Sequence, residues 1–193
     1  MKKIGLYFGT FNPVHNGHVA LGNYFVTQTD LETVWFVVTP QNPFKINDPL
    51  LEDPHRLEMV RLALLNQPQL EVCDVEFTLP KPNYTLDTIQ FLKQKFPHND
   101  YVLLMGEDNL AHFERWKSYA TLLDLVTVYV YPRKHKNPVP EKFLNHPKIQ
   151  LIQAPMLDYA SKKIRSLIQQ GVPVDHLMPQ QSWHYLKKHQ FYM

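Results

Sequence analysis

Short apolar runs alternate along this chain with stretches of helical period. Lys3 to Phe8 predicts a first strand, which runs into Gly9-Thr10-Phe11-Asn12-Pro13 and then a helix from about Gly17 to Thr27. Thr33 to Thr39 is rich in Val, Trp and Phe on both faces, the pattern of a strand buried within a parallel sheet. A Pro- and Asn-rich loop, Pro40 to Lys45, follows. Asp53-Pro54 opens a helix with Asp as N-cap and Pro at the first helical position, and Leu57, Val60 and Leu64 keep its period. Leu70 to Val75, Asp100 to Met105, Leu125 to Tyr131 and Ile149 to Gln153 predict four more strands. Thr85 caps a helix that stops before Pro97. Ser161 starts another that ends at Gly171, a suitable C′ glycine, and Gln180 to His189 is a last helix.

This alternation predicts the α/β class, a single Rossmann-like, doubly wound parallel sheet with helices on both faces. No internal repeat and no Gly/Ser linker interrupts it, so residues 1–193 read as one domain. In such sheets ligands bind beyond the carboxyl ends of the strands, at the switch in strand order. The loops after the first, second, fourth and sixth strands are therefore the places to search.

Composition narrows the classes. Hydrophobic residues make up 44% and charged residues 20%, enough apolar material for a core and too little net charge for a disordered chain. Lys plus Arg number 20 against 18 acidic residues, a formal net charge of +2. That balance gives no general electrostatic reason to expect nucleic acid or an anionic membrane as partner. A single cysteine, Cys73, excludes an intramolecular disulfide and a Cys-based zinc site, and its strand position suggests burial. The longest apolar runs fall short of the ~20 residues of a membrane helix, and Met1-Lys2-Lys3 with its broken apolar stretch does not read as a signal peptide. The cytosol is the default expectation. Arg133-Lys134-His135-Lys136 reads as a solvated, Pro-flanked turn, and Trp183, Tyr185 and Leu186 as packing against the sheet.

The loop after the first strand carries the most chemistry. In Gly9-Thr10-Phe11-Asn12-Pro13-Val14-His15-Asn16-Gly17-His18, glycine permits close backbone approach, and the following helix offers unpaired N–H groups and its positive dipole end. Two histidines three apart can point at one ligand and neutralise a phosphate. Two other readings stand beside this one: a surface turn with solvated histidines, and an HxxH metal pair without a third ligand. Neither the dinucleotide fingerprint nor the P-loop is present.

This stretch, Gly-x-Phe-x-Pro-x-His-x-Gly-His, resembles the HxGH signature of nucleotidylyltransferases. Tyr84-Thr85-Leu86-Asp87-Thr88 resembles the YTxDT segment of the nicotinate mononucleotide adenylyltransferase family. Gly106-Glu107-Asp108-Asn109-Leu110 with Trp116 is similar to its GxDxL…W segment, and Ser161 with Ile164-Arg165 to the end of its SSTxIR motif. The likeness runs from about Lys3 to Phe191.

The resemblance implies an adenylyltransferase of NAD biosynthesis. The 5′-phosphate of nicotinate mononucleotide would attack the α-phosphorus of ATP, releasing pyrophosphate. His15, His18, Lys45 and Arg165 would stabilise the phosphates, with Mg²⁺ arriving on ATP. Gly9, Thr10, Phe11, Gly17, Gly106, Asp108, Arg133, Ser161 and Ile164 would complete the ATP site, Asp108 accepting from the ribose. Trp116 would stack on the pyridine ring, and the backbone near Tyr84, Thr85 and Lys117 would bind the nicotinate carboxylate.

Read on residue chemistry alone, Lys45 is equally a solvated loop lysine, Arg165 half of a surface ion pair, Trp116 core packing and Asp108 a helix N-cap. One departure stands out. Ala160-Ser161-Lys162-Lys163 replaces Ser-Ser-Thr-x, so two hydroxyls are lost, one to Ala160 and one to Lys162. Rival substrates are nicotinamide mononucleotide and pantetheine phosphate, and the rival class is a nucleotide sensor without turnover. A homo-oligomer remains open.

Overall fold

The computed structural model describes residues 1–44 and 49–193; Lys45 lies outside the described residues. Six parallel strands form one sheet in the order β3-β2-β1-β4-β5-β6. They are β1 (Lys3–Gly9), β2 (Thr33–Val38), β3 (Leu70–Cys73), β4 (Asp100–Gly106), β5 (Thr127–Tyr131) and β6 (Ile149–Leu151). Tyr7 pairs with Phe36 on one side and Leu104 on the other, so β1 is central. The order reverses between β1 and β4, and a crevice opens where their following loops diverge.

Alternation of side chains sorts the core into two layers. Val34, Phe36, Val38, Val102, Leu104, Tyr129 and Tyr131 face one side. There they meet α1 (Asn16–Gln28), α2 (Asp53–Leu64), α7 (Ser161–Gln169) and α8 (Gln180–Lys188) through Phe25, Val60, Ile164 and Leu186. Ile4, Leu6, Val37, Leu103, Met105, Val128 and Val130 face the other side. They are covered by α3 (Thr85–Lys95), α4 (Glu107–Leu110), α5 (Tyr119–Leu125) and α6 (Glu141–Leu144) through Ile89, Leu110, Leu122 and Phe143. Both faces of the sheet are thus buried, which is why the strands read as continuous apolar runs.

Several boundaries differ from expectation. Asp53 is the first residue of α2 rather than its cap; Glu52 takes the cap position, and the Asp53 carboxylate turns to Arg56 and Lys81. Tyr84, not Thr85, precedes α3, and no side chain caps it. The third strand ends at Cys73, after which Val75–Thr78 winds as a 3₁₀ turn. Leu125 closes α5 instead of opening β5, because Leu122 and Leu123 are needed on the sheet. Helix α7 stops at Gln169, and Gly171 behind it has φ +71°, as a C′ glycine does. Burial pushes the Cys73 thiol up to about 11, which keeps it inert at neutral pH. Among the described residues no helix is long and apolar enough to cross a membrane.

Candidate active site

Between Gly9 and α1 the backbone passes through Phe11 at φ 44°, a left-handed position rare for a side-chain-bearing residue. Packing holds it there. The Phe11 ring is buried, stacks on Phe36 at 5.4 Å between centroids and meets His18 edge-on at 5.0 Å. Beneath the turn lies Arg56, fully buried. Its guanidinium donates to the carbonyls of Thr10, Thr39 at 2.9 Å and Pro40 at 3.3 Å, its Nε to Leu51 at 2.9 Å, and it pairs with Asp53. A buried guanidinium is tolerated only with its donors satisfied. Here it ties together the loops that leave β1 and β2.

His15 is the N-cap of α1, and the two histidines cap the helix reciprocally. The His18 N–H donates to His15 Nδ1 at 3.3 Å, and the His15 N–H donates to His18 Nδ1 at 3.2 Å. Each Nδ1 is therefore an acceptor, so a neutral imidazole carries its proton on Nε2. The rings stack at 3.5 Å between centroids and 15° between planes. Gly17 allows the next layer: a Cβ there would stand 2.7 Å from Tyr159 Cβ, and Tyr159 lies 5.7 Å from His15 at a 21° interplanar angle. Burial, and then the nearby Arg133 charge, lowers the His15 pKa to about 3. Burial, then His15, then Arg133 holds His18 well below the ordinary imidazole value. Both rings are neutral Nε2–H donors at pH 7.

Helix α7 supplies the adjoining wall. Ser161 Oγ donates to the Pro13 carbonyl at 2.9 Å, and Arg165 Nη1 donates to the Asn12 carbonyl at 2.6 Å. Ser161 does not cap α7; Ala160 holds that position with no side-chain bond, so the first N–H groups of the helix keep no side-chain acceptor. Across the crevice, Asp108 sits inside α4 rather than at its cap. It pairs with Arg133 at 3.5 Å through Oδ2, while its Oδ1 is buried without a partner. A Cβ on Gly106 would collide with that Oδ1. Arg133 also donates its backbone N–H to Glu107 at 3.3 Å, which pulls it out of the basic turn toward the crevice.

The crevice has a volume of about 610 Å³. Gly9, Thr10, Phe11, His15, His18, Asp108, Trp116, Arg133, Ser161 and Arg165 line it together, and so does Lys162. Three residues expected at the ATP site do not line it. Gly17 backs onto Tyr159, Gly106 lies behind Asp108, and Ile164 is 1% exposed in the core, because α7 needs that position for packing. Arg165 makes no ion pair among the described residues.

A smaller pocket of about 90 Å³ shares Phe8, Asn42, Asn109 and Trp116 with the crevice. Trp116 is half-buried, its ring 5.3 Å from Phe113, so it belongs partly to the core and partly to the pocket wall. Tyr84, Thr85 and Lys117 line the pocket as expected. The Lys117 ammonium is engaged by both oxygens of Asp87 at 2.8 Å and lies over the Tyr84 ring at 4.7 Å. Glu76 also lines this pocket. Its Oε1 accepts from Thr88 at 2.6 Å, its Oε2 is buried and unpartnered, and burial pushes its carboxyl up.

Sequence reasoning passed over Arg56, Asn12, Tyr159 and Glu76. Only Arg56 left a signal, an arginine among apolar positions of an amphipathic period, three after an aspartate. The other three act through contacts between distant segments.

A cytidylyltransferase-like family model matches residues 6–168 of the chain. Similar curated proteins bear the name "probable nicotinate-nucleotide adenylyltransferase". That of Flavobacterium psychrophilum is 45% identical over 190 residues, covering 98% of each chain. That of Bacteroides thetaiotaomicron is 34% identical, covering 97% of this chain and 92% of its own. Among solved structures, Plasmodium falciparum nicotinic acid mononucleotide adenylyltransferase complexed with NaAD superposes with a TM-score of 0.83, covering 100% of this chain and 98% of that one. At 20% identity that likeness is one of fold.

Proposed function

The chain belongs to the nicotinate-nucleotide adenylyltransferases of the cytidylyltransferase-like family, and on that premise we propose how its two-part crevice works. The wide part takes ATP and the narrow part takes the pyridine ring of nicotinate mononucleotide. The 5′-phosphate oxygen attacks the α-phosphorus in line, its bond to the β-phosphate oxygen breaks, and pyrophosphate leaves. The nucleophile is already an anion, so no general base is needed.

Catalysis is then the placement of charge and of reactants. The Nε2–H groups of His15 and His18 donate to the triphosphate. Its negative charge reverses the balance that keeps both rings neutral, so they gain positive character as charge builds on the departing pyrophosphate. Arg165 and Arg133 add fixed cations on opposite sides, and the N-termini of α1 and α7 add oriented N–H groups. Lys162, at the cleft surface, compensates for the hydroxyls missing from the 160–163 run. Asp108, with an unused acceptor, receives the adenosine ribose. Trp116 stacks on the pyridine, and the start of α3 near Thr85 favours the nicotinate carboxylate over an amide. Magnesium would arrive with the ATP substrate and would neutralise charge on its phosphates. The described residues offer no group of three His, Cys, Asp or Glu that could hold a metal ion.

One observation carries this reading: two stacked imidazoles, each with its Nδ1 taken by the other's backbone, line a cleft that also holds Trp116. A coupled pyrophosphate assay tests it, with ATP and each of nicotinate mononucleotide, nicotinamide mononucleotide and pantetheine phosphate in parallel. Release driven best by the nicotinate nucleotide is the expected result. Preference for either other substrate reassigns the narrow pocket, and ATP binding without release would make the protein a sensor.

A further inference from the structure

Helix α8 ends at Lys188, and the last residues hook back toward the phosphate loop. Gln190 and Tyr192 have φ values of 55° and 64°, left-handed conformations that residues with a Cβ adopt only when contacts hold them. Such contacts are present. The Phe191 N–H donates to the Leu186 carbonyl at 3.2 Å. Its ring lies parallel to His189 at 5.2 Å and comes within 4.6 Å of His55 on α2. Pinned this way, the hook carries Tyr192 inward, and the Tyr192 hydroxyl donates to Asn12 Oδ1 across a separation of 180 positions.

Asn12 is a junction. It is 3% exposed and sits between the first strand and the histidine pair. Its Nδ2 donates to the Pro49 carbonyl at 3.1 Å, and its Oδ1 accepts the Leu51 N–H at 3.2 Å. Its own carbonyl accepts Arg165 Nη1 at 2.6 Å. The Tyr192 hydroxyl fills the second lone pair of Oδ1, so every polar group of this side chain but one amide hydrogen has a partner. Burial pushes the Tyr192 phenol up, which keeps the hydroxyl a donor at any working pH.

We propose that Tyr192 is a positioning residue for the reaction, holding Asn12 so that the histidine loop and the Arg165 guanidinium stand in fixed register for the triphosphate. The proposal rests on the assignment of the wide crevice to ATP. It departs from a reading in which the tail merely packs, because the hydroxyl bonds the loop whose carbonyl orients Arg165.

Tyr192→Phe removes that one donor and keeps the ring. The expected result is a rise of about tenfold in KM for ATP, with KM for nicotinate mononucleotide within about twofold of the unsubstituted enzyme. A deletion of residues 192–193 should show the same ATP-selective loss. A purely structural role would lower the melting temperature and the active fraction while leaving both KM values unchanged. That outcome overturns the proposal, as does unaltered kinetics in both variants. Calorimetric binding of a non-hydrolysable ATP analogue provides a reading independent of turnover. Weaker binding in Tyr192→Phe supports the positioning role even if the pyridine substrate has been misassigned. Wild-type protein that fails to bind the analogue would instead sink the ATP assignment itself.

Discussion

The two ends of the crevice are built in opposite ways. At the wide end, a contiguous ten-residue stretch does most of the work. His15 and His18 cap their own helix, and Arg56, Ser161 and Arg165 donate to the backbone carbonyls of that stretch. At the narrow end, the walls come from separate segments: Phe8 near the end of β1, Glu76 in a 3₁₀ turn, Tyr84 and Thr85 at α3, and Trp116 before α5. The first end is organised by backbone hydrogen bonds and, in the proposed function, recognises charge. The second is organised by side-chain packing and, in the proposed function, recognises a flat ring. A charge moving during reaction needs donors that do not have to reorganise, whereas a ring held throughout needs only shape.

This contrast can be broken by experiment. The largest effect is expected for His18→Ala, which removes one donor aimed at the leaving group and half of the reciprocal cap. Its kcat should fall by roughly 10²–10³ with little change in KM for the pyridine nucleotide. Near-normal turnover in steady-state assays would remove the histidines from the chemistry. Trp116→Ala should do the reverse, raising KM for nicotinate mononucleotide by roughly tenfold and leaving the ATP parameters nearly intact. If KM for ATP moved as much, the two ends would not be separable.

The third effect concerns pH. His15 and His18 have folded-state pKa values below the ordinary 6.5, so the unfolded chain binds protons there that the folded chain does not. Stability contributed by these groups is complete above pH 6.5 and is lost as pH falls below it. Glu76, whose carboxyl is raised from 4.5, acts with the opposite sign above that value. Urea midpoints measured between pH 7 and about 5 should decline, and the decline should flatten in His15→Gln. Bound ATP should oppose the decline, since the triphosphate favours the protonated rings. An equal slope with and without ATP would count against the proposed coupling.

The smallest effect belongs to Lys117→Ala. Its ammonium is exposed and paired with Asp87, so stability should change by less than about 1 kcal/mol in a thermal scan. A large rise in KM for the nicotinate nucleotide would show that the side chain, rather than the nearby backbone, meets the carboxylate.

Much of this architecture is legible in the sequence. Alternating apolar runs are forced on a chain whose strands are buried on both faces, so the order of elements, the doubly wound class and the position of the crevice follow from local pattern. The Gly9 to His18 stretch is equally local: a capped helix start holds its ligand-facing groups within one turn of sequence. Short helices such as α4 and α5 escaped, because a few residues hold too little period to be told from the flanking strand.

What tertiary structure alone decided is where distant segments meet. Folding directed Asn12 to Tyr192, turned Arg56 beneath the loop, moved Ile164 into the core and gave Glu76 a place in the wall of the smaller pocket. Periodicity encodes which face of an element is buried. It does not encode which partner fills that face, and hydrogen bonds between residues far apart in sequence have no signature until packing brings their donors and acceptors into reach.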